Sequence, residues 1–112
     1  MSCPFRNPAP SSLWLESTVA LALWDGFPIS ESHTLVVPRL YVASLLDLPA
    51  PGMAAVWEFV ARVRAELATR VGVEAFDIGL NIERAAGQTV MHAHIHVVPR
   101  REGDVPDLLP MP

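Results

Sequence analysis

The chain contains no lysine; all eight of its basic residues are arginine. That absence excludes a Walker-type phosphate loop, Schiff-base chemistry and a lysine nucleophile together. Cysteine is almost missing too. Cys3 stands alone, so no disulfide closes within these 112 residues and packing must hold the fold. No apolar run approaches the ~20 residues of a membrane span, and the first residues lack a basic stretch followed by an apolar one. The expectation is a soluble cytoplasmic protein. Positive charge is scarce as well: the net charge is −4, which argues against capture of bulk nucleic acid. An anionic ligand would need a local site rather than the overall field. A Gly-x-Ser-x-Gly elbow is also missing, so a serine hydrolase has no starting point.

What the chain does have is a run of alternating histidines. In Gly87-Gln88-Thr89-Val90-Met91-His92-Ala93-His94-Ile95-His96-Val97-Val98-Pro99-Arg100, three of the four histidines occupy alternate positions. The residues between and beside them, Met91, Ala93, Ile95 and Val97, are apolar. That is the period of a half-buried strand, with His92, His94 and His96 on one face and the apolar set toward the core. At ~3.3 Å per residue, neighbouring imidazoles start roughly 6.6 Å apart and can address one small anion. The same pattern also suits a solvated strand face, or a His-x-His pair donating two ligands to zinc.

Hydrophobic residues make up 51% of the chain, enough for one domain with its own core, 1–112, without repeats or linkers. Residues 1–12 hold three prolines and read as an irregular lead-in in which Phe5 is the one large apolar side chain. Alternation of Val19, Leu21 and Leu23 with Ala20, Ala22 and Trp24 predicts a strand at about 17–24. Asp25-Gly26 marks a turn, and His33 to Val37 is a second strand stopped by Pro38. Val42 to Leu48 reads as a loop or short helical turn. From Gly52 to Val71 the spacing of Val56, Phe59, Val60, Val63 and Leu67 predicts a long helix, with Pro51 in its first turn and Gly72 as its cap. Asp77 to Ile82 is a third strand, with Asn81 on the face opposite Ile78, Leu80 and Ile82. Residues 101–112 read as an extended tail. The architecture is α+β: a mostly antiparallel sheet with one long helix packed on one face.

Histidine is the side chain divided between neutral and protonated forms near pH 7. A neutral imidazole nitrogen can attack phosphorus while neighbouring N–H groups hold the phosphoryl oxygens. His94 is flanked by a histidine on both sides, which makes it the natural nucleophile, with His92 and His96 as donors or as the acid for the leaving group. Gln88, Thr89 and the Gly87 backbone lie just before the strand, where further donors can complete an oxyanion site.

Gly87-Gln88-Thr89-Val90 followed by His-x-His-x-His and two apolar residues resembles the signature of the histidine triad (HIT) superfamily. Asp25-Gly26-Phe27-Pro28-Ile29-Ser30-Glu31-Ser32-His33-Thr34-Leu35-Val36-Val37-Pro38 resembles that family's upstream block, and Asn81 fits its spacing to His94. The resemblance covers roughly residues 3–101. It implies a HIT-like sheet and a nucleotide-binding hydrolase or transferase in which His94 attacks the α-phosphate, forming a nucleotidyl-histidine that water resolves. It further implies that His92 and His96 contact phosphate and orient the nucleophile, with His33 as a fourth histidine nearby. Asp25 would bind the ribose hydroxyls, Asn81, Gln88 and Thr89 the phosphates, and Phe5 would wall the base pocket. The family pairs two subunits, so the resemblance implies a homodimer with a continuous sheet.

The chain also departs from that pattern. Many bacterial members carry Cys-x-x-Cys and a histidine after a Pro-x-x spacing, forming a structural zinc site; here those positions hold Arg6 and Tyr41. No such zinc is expected, and no cofactor beyond a divalent cation such as Mg2+ accompanying a polyphosphate. The tail from Gly103 to Asp107 begins like related bacterial chains and then diverges. The leading expectation is hydrolysis of an adenosine polyphosphate of the dinucleoside type. The alternatives are a nucleoside phosphoramidase using the same nucleophile, or a purine-nucleotide-binding protein with little catalysis.

Overall fold

Ser17 sets the first turn. Its hydroxyl oxygen accepts from the backbone N–H groups of Val19 and Ala20, both at 3.1 Å, and its own N–H donates to the Ala20 carbonyl at 2.9 Å. A serine bonded this way takes the backbone out of a strand ladder. The single strand expected at about 17–24 is therefore two. β1 (Leu13–Glu16) and β2 (Ala20–Trp24) pair antiparallel, with an irregularity between Leu13 and Leu15. A computed structural model describes residues 10–25, 32–82, 84–86, 88 and 92–102. Phe5, Thr89, the turn residue Gly26, Gly87 and most of the lead-in and tail lie outside the described residues.

β3 (Thr34–Pro38) runs antiparallel to β2, from Trp24↔Thr34 to Ala20↔Pro38. A short 3-10 turn at Leu45–Asp47 follows, its first N–H groups met by the Ser44 hydroxyl, which accepts from Leu46 at 3.2 Å. The helix α1 (Ala50–Val71) opens two residues earlier than its periodicity suggests and carries Pro51 in its first turn. Proline costs a helix nothing there, because that N–H has no intrahelical partner. Gly72 closes it in the left-handed region at φ 70°, its N–H donating to the Ala68 carbonyl at 3.0 Å. Val56, Phe59, Val60, Val63 and Leu67 are all buried, as the three-and-four spacing demands. No described helix is long and apolar enough to cross a membrane.

β4 (Ala75–Gly79) begins and ends earlier than expected and pairs with β5 (Ile95–Arg100), Gly79 opposite His96. β5 begins at Ile95, so a longer β4 would have no ladder to join, and Asn81 and Ile82 lie past its end. The strand order is β1-β2-β3-β5-β4, antiparallel at every pairing. With α1 on one side, this is the α+β architecture read from the sequence.

Alternation along the strands divides the sheet into two unlike faces. On one, Ala20, Ala22, Val36, Ile95 and Val97 pack with the helix stripe into the main core. Ala20 and Ala22 are fully buried there, as are Val63 and Leu67 of the helix. On the other, Leu21, Leu23, Leu35 and Val37 form a smaller cluster. His96 pairs with Leu35 across the β3–β5 ladder and so shares this second face.

Candidate active site

The histidine run is not one continuous strand. The β3–β5 ladder stops at Val36↔Ile95, and His92, Ala93 and His94 lead into β5 from outside that ladder. The reason lies at the end of β3. Pro38 has no N–H to continue a ladder, and its carbonyl is taken by the His92 ring, whose Nε2–H donates to it at 2.9 Å. The Ala93 N–H goes instead to the Val42 carbonyl at 2.6 Å. Tyr41 stands edge-on to the His92 ring, centroids 4.8 Å apart. His92 is 1% exposed. Its Nε2 thus faces Pro38 and holds the approach segment to the β3 loop.

His94 is turned by the same segment. Its Nδ1 lies 2.8 Å from the His92 carbonyl oxygen. A carbonyl only accepts, so Nδ1 carries the hydrogen and the neutral ring keeps its lone pair on Nε2. The His94 and His96 rings meet edge-on at 5.3 Å, and His96 meets His33 at 5.1 Å. His33 Nε2 and His96 Nδ1 are 2.9 Å apart, one hydrogen between them. Asp25 Oδ2 lies 3.4 Å from the same His33 Nε2. A carboxylate and an unprotonated ring nitrogen both want a donor, so the hydrogen belongs on His33 Nε2. His96 then accepts at Nδ1 and carries its own hydrogen on Nε2.

Antiparallel pairing brings these groups together. Asp25 follows β2 directly and its N–H donates to the His33 carbonyl at 2.9 Å, while His33 precedes β3. His33 is two residues from Leu35, the partner of His96, so the three side chains cross β2, β3 and β5 on the face away from α1. The next strand contributes Gly79, which has no side chain, beside His96.

Burial decides the charge. The His96 pKa is pushed down to about 4, chiefly by burial and then by the neighbouring His94 and His33, with Asp25 opposing. The His33 pKa is also lowered: burial outweighs the attraction of Asp25. Both rings are neutral at pH 7, ready to donate or accept single hydrogens. A cavity of about 210 Å³ opens beside His33, lined among the described residues by Trp24, Asp25, Ser32 and His33. Ser32 sits at φ 65°, a conformation that side chains other than glycine rarely take, with its carbonyl held by the Thr34 hydroxyl at 3.1 Å. This strained residue on the cavity wall was not evident from the sequence. Nor was Trp24, which only a place next to Asp25 could have suggested.

The remaining sequence candidates fall differently. Gln88 is buried, and its amide nitrogen donates to the Ala43 carbonyl at 2.9 Å, bracing the loop after β3. Asn81 is half-buried in the stretch after β4. Thr89 and Phe5 lie outside the described residues.

An imidazole lone pair with a second imidazole N–H beside it suits nucleophilic attack on phosphorus. Comparison with known proteins bears on the same residues: the HIT domain profile matches positions 6–103. The chain belongs to the HIT family. An uncharacterized HIT-like protein of Mycobacterium tuberculosis is 39% identical over 109 residues, spanning 93% of this chain and 75% of its own length. A bifunctional bis(5′-adenosyl)-triphosphatase/adenylylsulfatase of Arabidopsis thaliana is 30% identical over 95 residues, 85% of this chain. This chain spans only about half, 53%, of that enzyme. The nitrilase–HIT fusion protein of Caenorhabditis elegans superposes with a TM-score of 0.84 at 31% identity, over 95% of this chain and 26% of the longer one. The HIT fold is thereby shown, and the family is one of nucleotide-binding hydrolases. Of the zinc-ligand positions in many bacterial HIT chains, Cys3 and Arg6 lie outside the described residues, while Tyr41 packs its ring on His92.

Proposed function

We propose that this HIT protein hydrolyses adenosine polyphosphates of the dinucleoside type at the α-phosphorus, through a covalent nucleotidyl-histidine. The observation that carries the reading is the 2.8 Å bond from His94 Nδ1–H to the His92 carbonyl, which makes Nε2 the basic nitrogen. In the first step His94 Nε2 forms a bond to phosphorus as the bond to the leaving polyphosphate oxygen breaks. His96 Nε2–H stabilises the charge gathering on the phosphoryl oxygens and the departing group. The His92 carbonyl meanwhile faces the positive charge that develops on the nucleotidylated ring. In the second step water attacks phosphorus and gives up a proton to solvent, the phosphorus–nitrogen bond breaks, and neutral His94 returns. Asp25 binds the sugar hydroxyls at the cavity edge, and His33 sets the tautomer of His96. Gln88, Asn81 and Thr89 serve the phosphate side and Phe5 the base. Mg2+, where used, arrives with the polyphosphate.

A second reading has its own support in the Arabidopsis relative, which is also an adenylylsulfatase. Cleavage of a phosphosulfate uses the same nucleophile with sulfate as the leaving group. The test is a panel of diadenosine triphosphate, adenosine 5′-phosphosulfate and adenosine 5′-phosphoramidate, with rapid quenching to trap the acid-labile adduct and locate it by mass. Release of AMP from the dinucleotide with label on His94 supports the proposal. Turnover of only one of the other substrates reassigns the leaving group, and nucleotide binding without turnover leaves a binding protein.

The same proposal includes a cytoplasmic homodimer. β4 ends the sheet, and Ile78 on it is 40% exposed, an apolar side chain on an edge open to pairing. Sedimentation of the protein alongside Ile78→Lys tests this: a dimer that the substitution splits is the expected result.

A further inference from the structure

We propose that Asp25, His33 and His96 form an inhibitory site for a transition-metal dication of the Zn2+ and Co2+ type. Each residue offers one ligand atom, and the three atoms lie within 4.8 Å of one another. His33 Nε2 is 2.9 Å from His96 Nδ1 and 3.4 Å from Asp25 Oδ2. Metal–ligand bonds of ~2.0–2.1 Å in a tetrahedral site place ligand atoms roughly 3.3–3.4 Å apart, so small side-chain rotations suffice. Two of the donors are pinned by backbone: Asp25 N–H bonds the His33 carbonyl at 2.9 Å. The third, His96, lies on β5, whose ladder with β3 fixes its place beside them.

The donor set chooses the ion. Two imidazoles and one carboxylate suit zinc, cobalt and their neighbours, whereas Mg2+ and Ca2+ prefer oxygen ligands throughout. Imidazole must be neutral to bind, and burial keeps both rings so. The cavity beside Asp25 and His33 leaves space for a fourth ligand, water or a substrate oxygen. From the alternating triad this site takes His96 alone: His92 Nε2 faces Pro38 and His94 Nδ1 faces the His92 carbonyl.

Occupancy has a direct consequence for the reaction proposed above, though binding itself does not depend on that reading. The ion replaces the single hydrogen shared by His33 and His96 and turns His96 toward Asp25, away from His94. It also takes the carboxylate assigned to the sugar. Metal and productive substrate therefore exclude one another, and by linkage each weakens the other equally.

The experiment uses untagged full-length protein, freed of metal by chelator and titrated with Co2+ and then Zn2+. A stoichiometric visible absorption of low-coordinate Co2+, displaced by Zn2+, is the expected result. His33→Gln and Asp25→Asn, each shown to fold by circular dichroism and thermal melting, weaken binding by at least roughly tenfold. His94→Asn keeps the Co2+ spectrum although its turnover is lost, so failure of the catalytic reading and failure of the metal site are separately visible. No Co2+ absorption, or binding that survives both ligand substitutions, or binding that disappears in His94→Asn, each overturns the proposal.

Discussion

The two faces of the sheet are built from alternate residues of the same strands and behave as different materials. Toward α1, Ala20, Ala22, Val36, Ile95 and Val97 meet a helix stripe in continuous apolar packing. Away from it, a smaller apolar cluster of Leu21, Leu23, Leu35 and Val37 borders Asp25, His33 and His96. The first face supplies stability without chemistry. The second holds polar groups whose positions are dictated by a backbone that the first face keeps rigid. Registry of the ladders, more than loop structure, places Asp25 and His33 against His96.

Substitutions can separate the two roles. The largest effect is expected at His94: His94→Asn should lower turnover at least ~10³-fold while nucleotide binding and melting temperature stay close to those of the parent. A rate within tenfold of the parent would remove His94 as nucleophile. On the helix face, Leu67→Ala should cost about 2–5 kcal/mol of stability in denaturant titration, because Leu67 is fully buried. The folded fraction should keep its catalytic constants, and a parallel loss of kcat would show that the faces are not separable.

Acid should act through the polar face. His33 and His96 have folded pKa values below the ordinary 6.5, so between about 4 and 6.5 the unfolded chain binds more protons than the folded one. Stability is then fully present above pH 6.5 and declines as pH falls through that window. Melting curves in chelator-containing buffers should show this decline reduced in His96→Asn; an unchanged slope would contradict the burial argument. The smallest effect is expected far from both faces. Arg39 and Glu16 pair at 3.0 Å with both side chains about half exposed. Glu16→Gln should therefore change stability by less than about 1 kcal/mol, and by still less in high salt.

Much of the helix face was legible because its signals are local and redundant. Five apolar residues at helical spacing, a proline at one end and a glycine at the other all indicate the same element. The division of β5 into Ile95 and Val97 on one side and His96 on the other was equally readable from alternation. What alternation could not show was where pairing stops. The β5 ladder ends at Ile95 because Pro38 terminates β3 and Val42 takes the Ala93 N–H, contacts made across more than fifty positions of sequence. Ser17 likewise divided one apolar run into two strands through hydroxyl bonds that a hydropathy pattern does not contain. In the site, alternation drew attention to His92, His94 and His96, and the resemblance added Asp25 and His33. Their hydrogen positions became readable only from which partner each ring nitrogen meets. Gln88 illustrates the limit: its place before the histidines suggested a phosphate contact, but nothing in that spacing could show that its amide nitrogen also braces Ala43.

The bond from His92 to Pro38 ends on a main-chain oxygen, an atom that no substitution can delete. The anchor therefore survives replacement of neighbouring loop side chains, provided the chain keeps its path. That makes the side chains of residues 39–43 a natural place for related proteins, or a designer, to introduce variety without retuning the nucleophile.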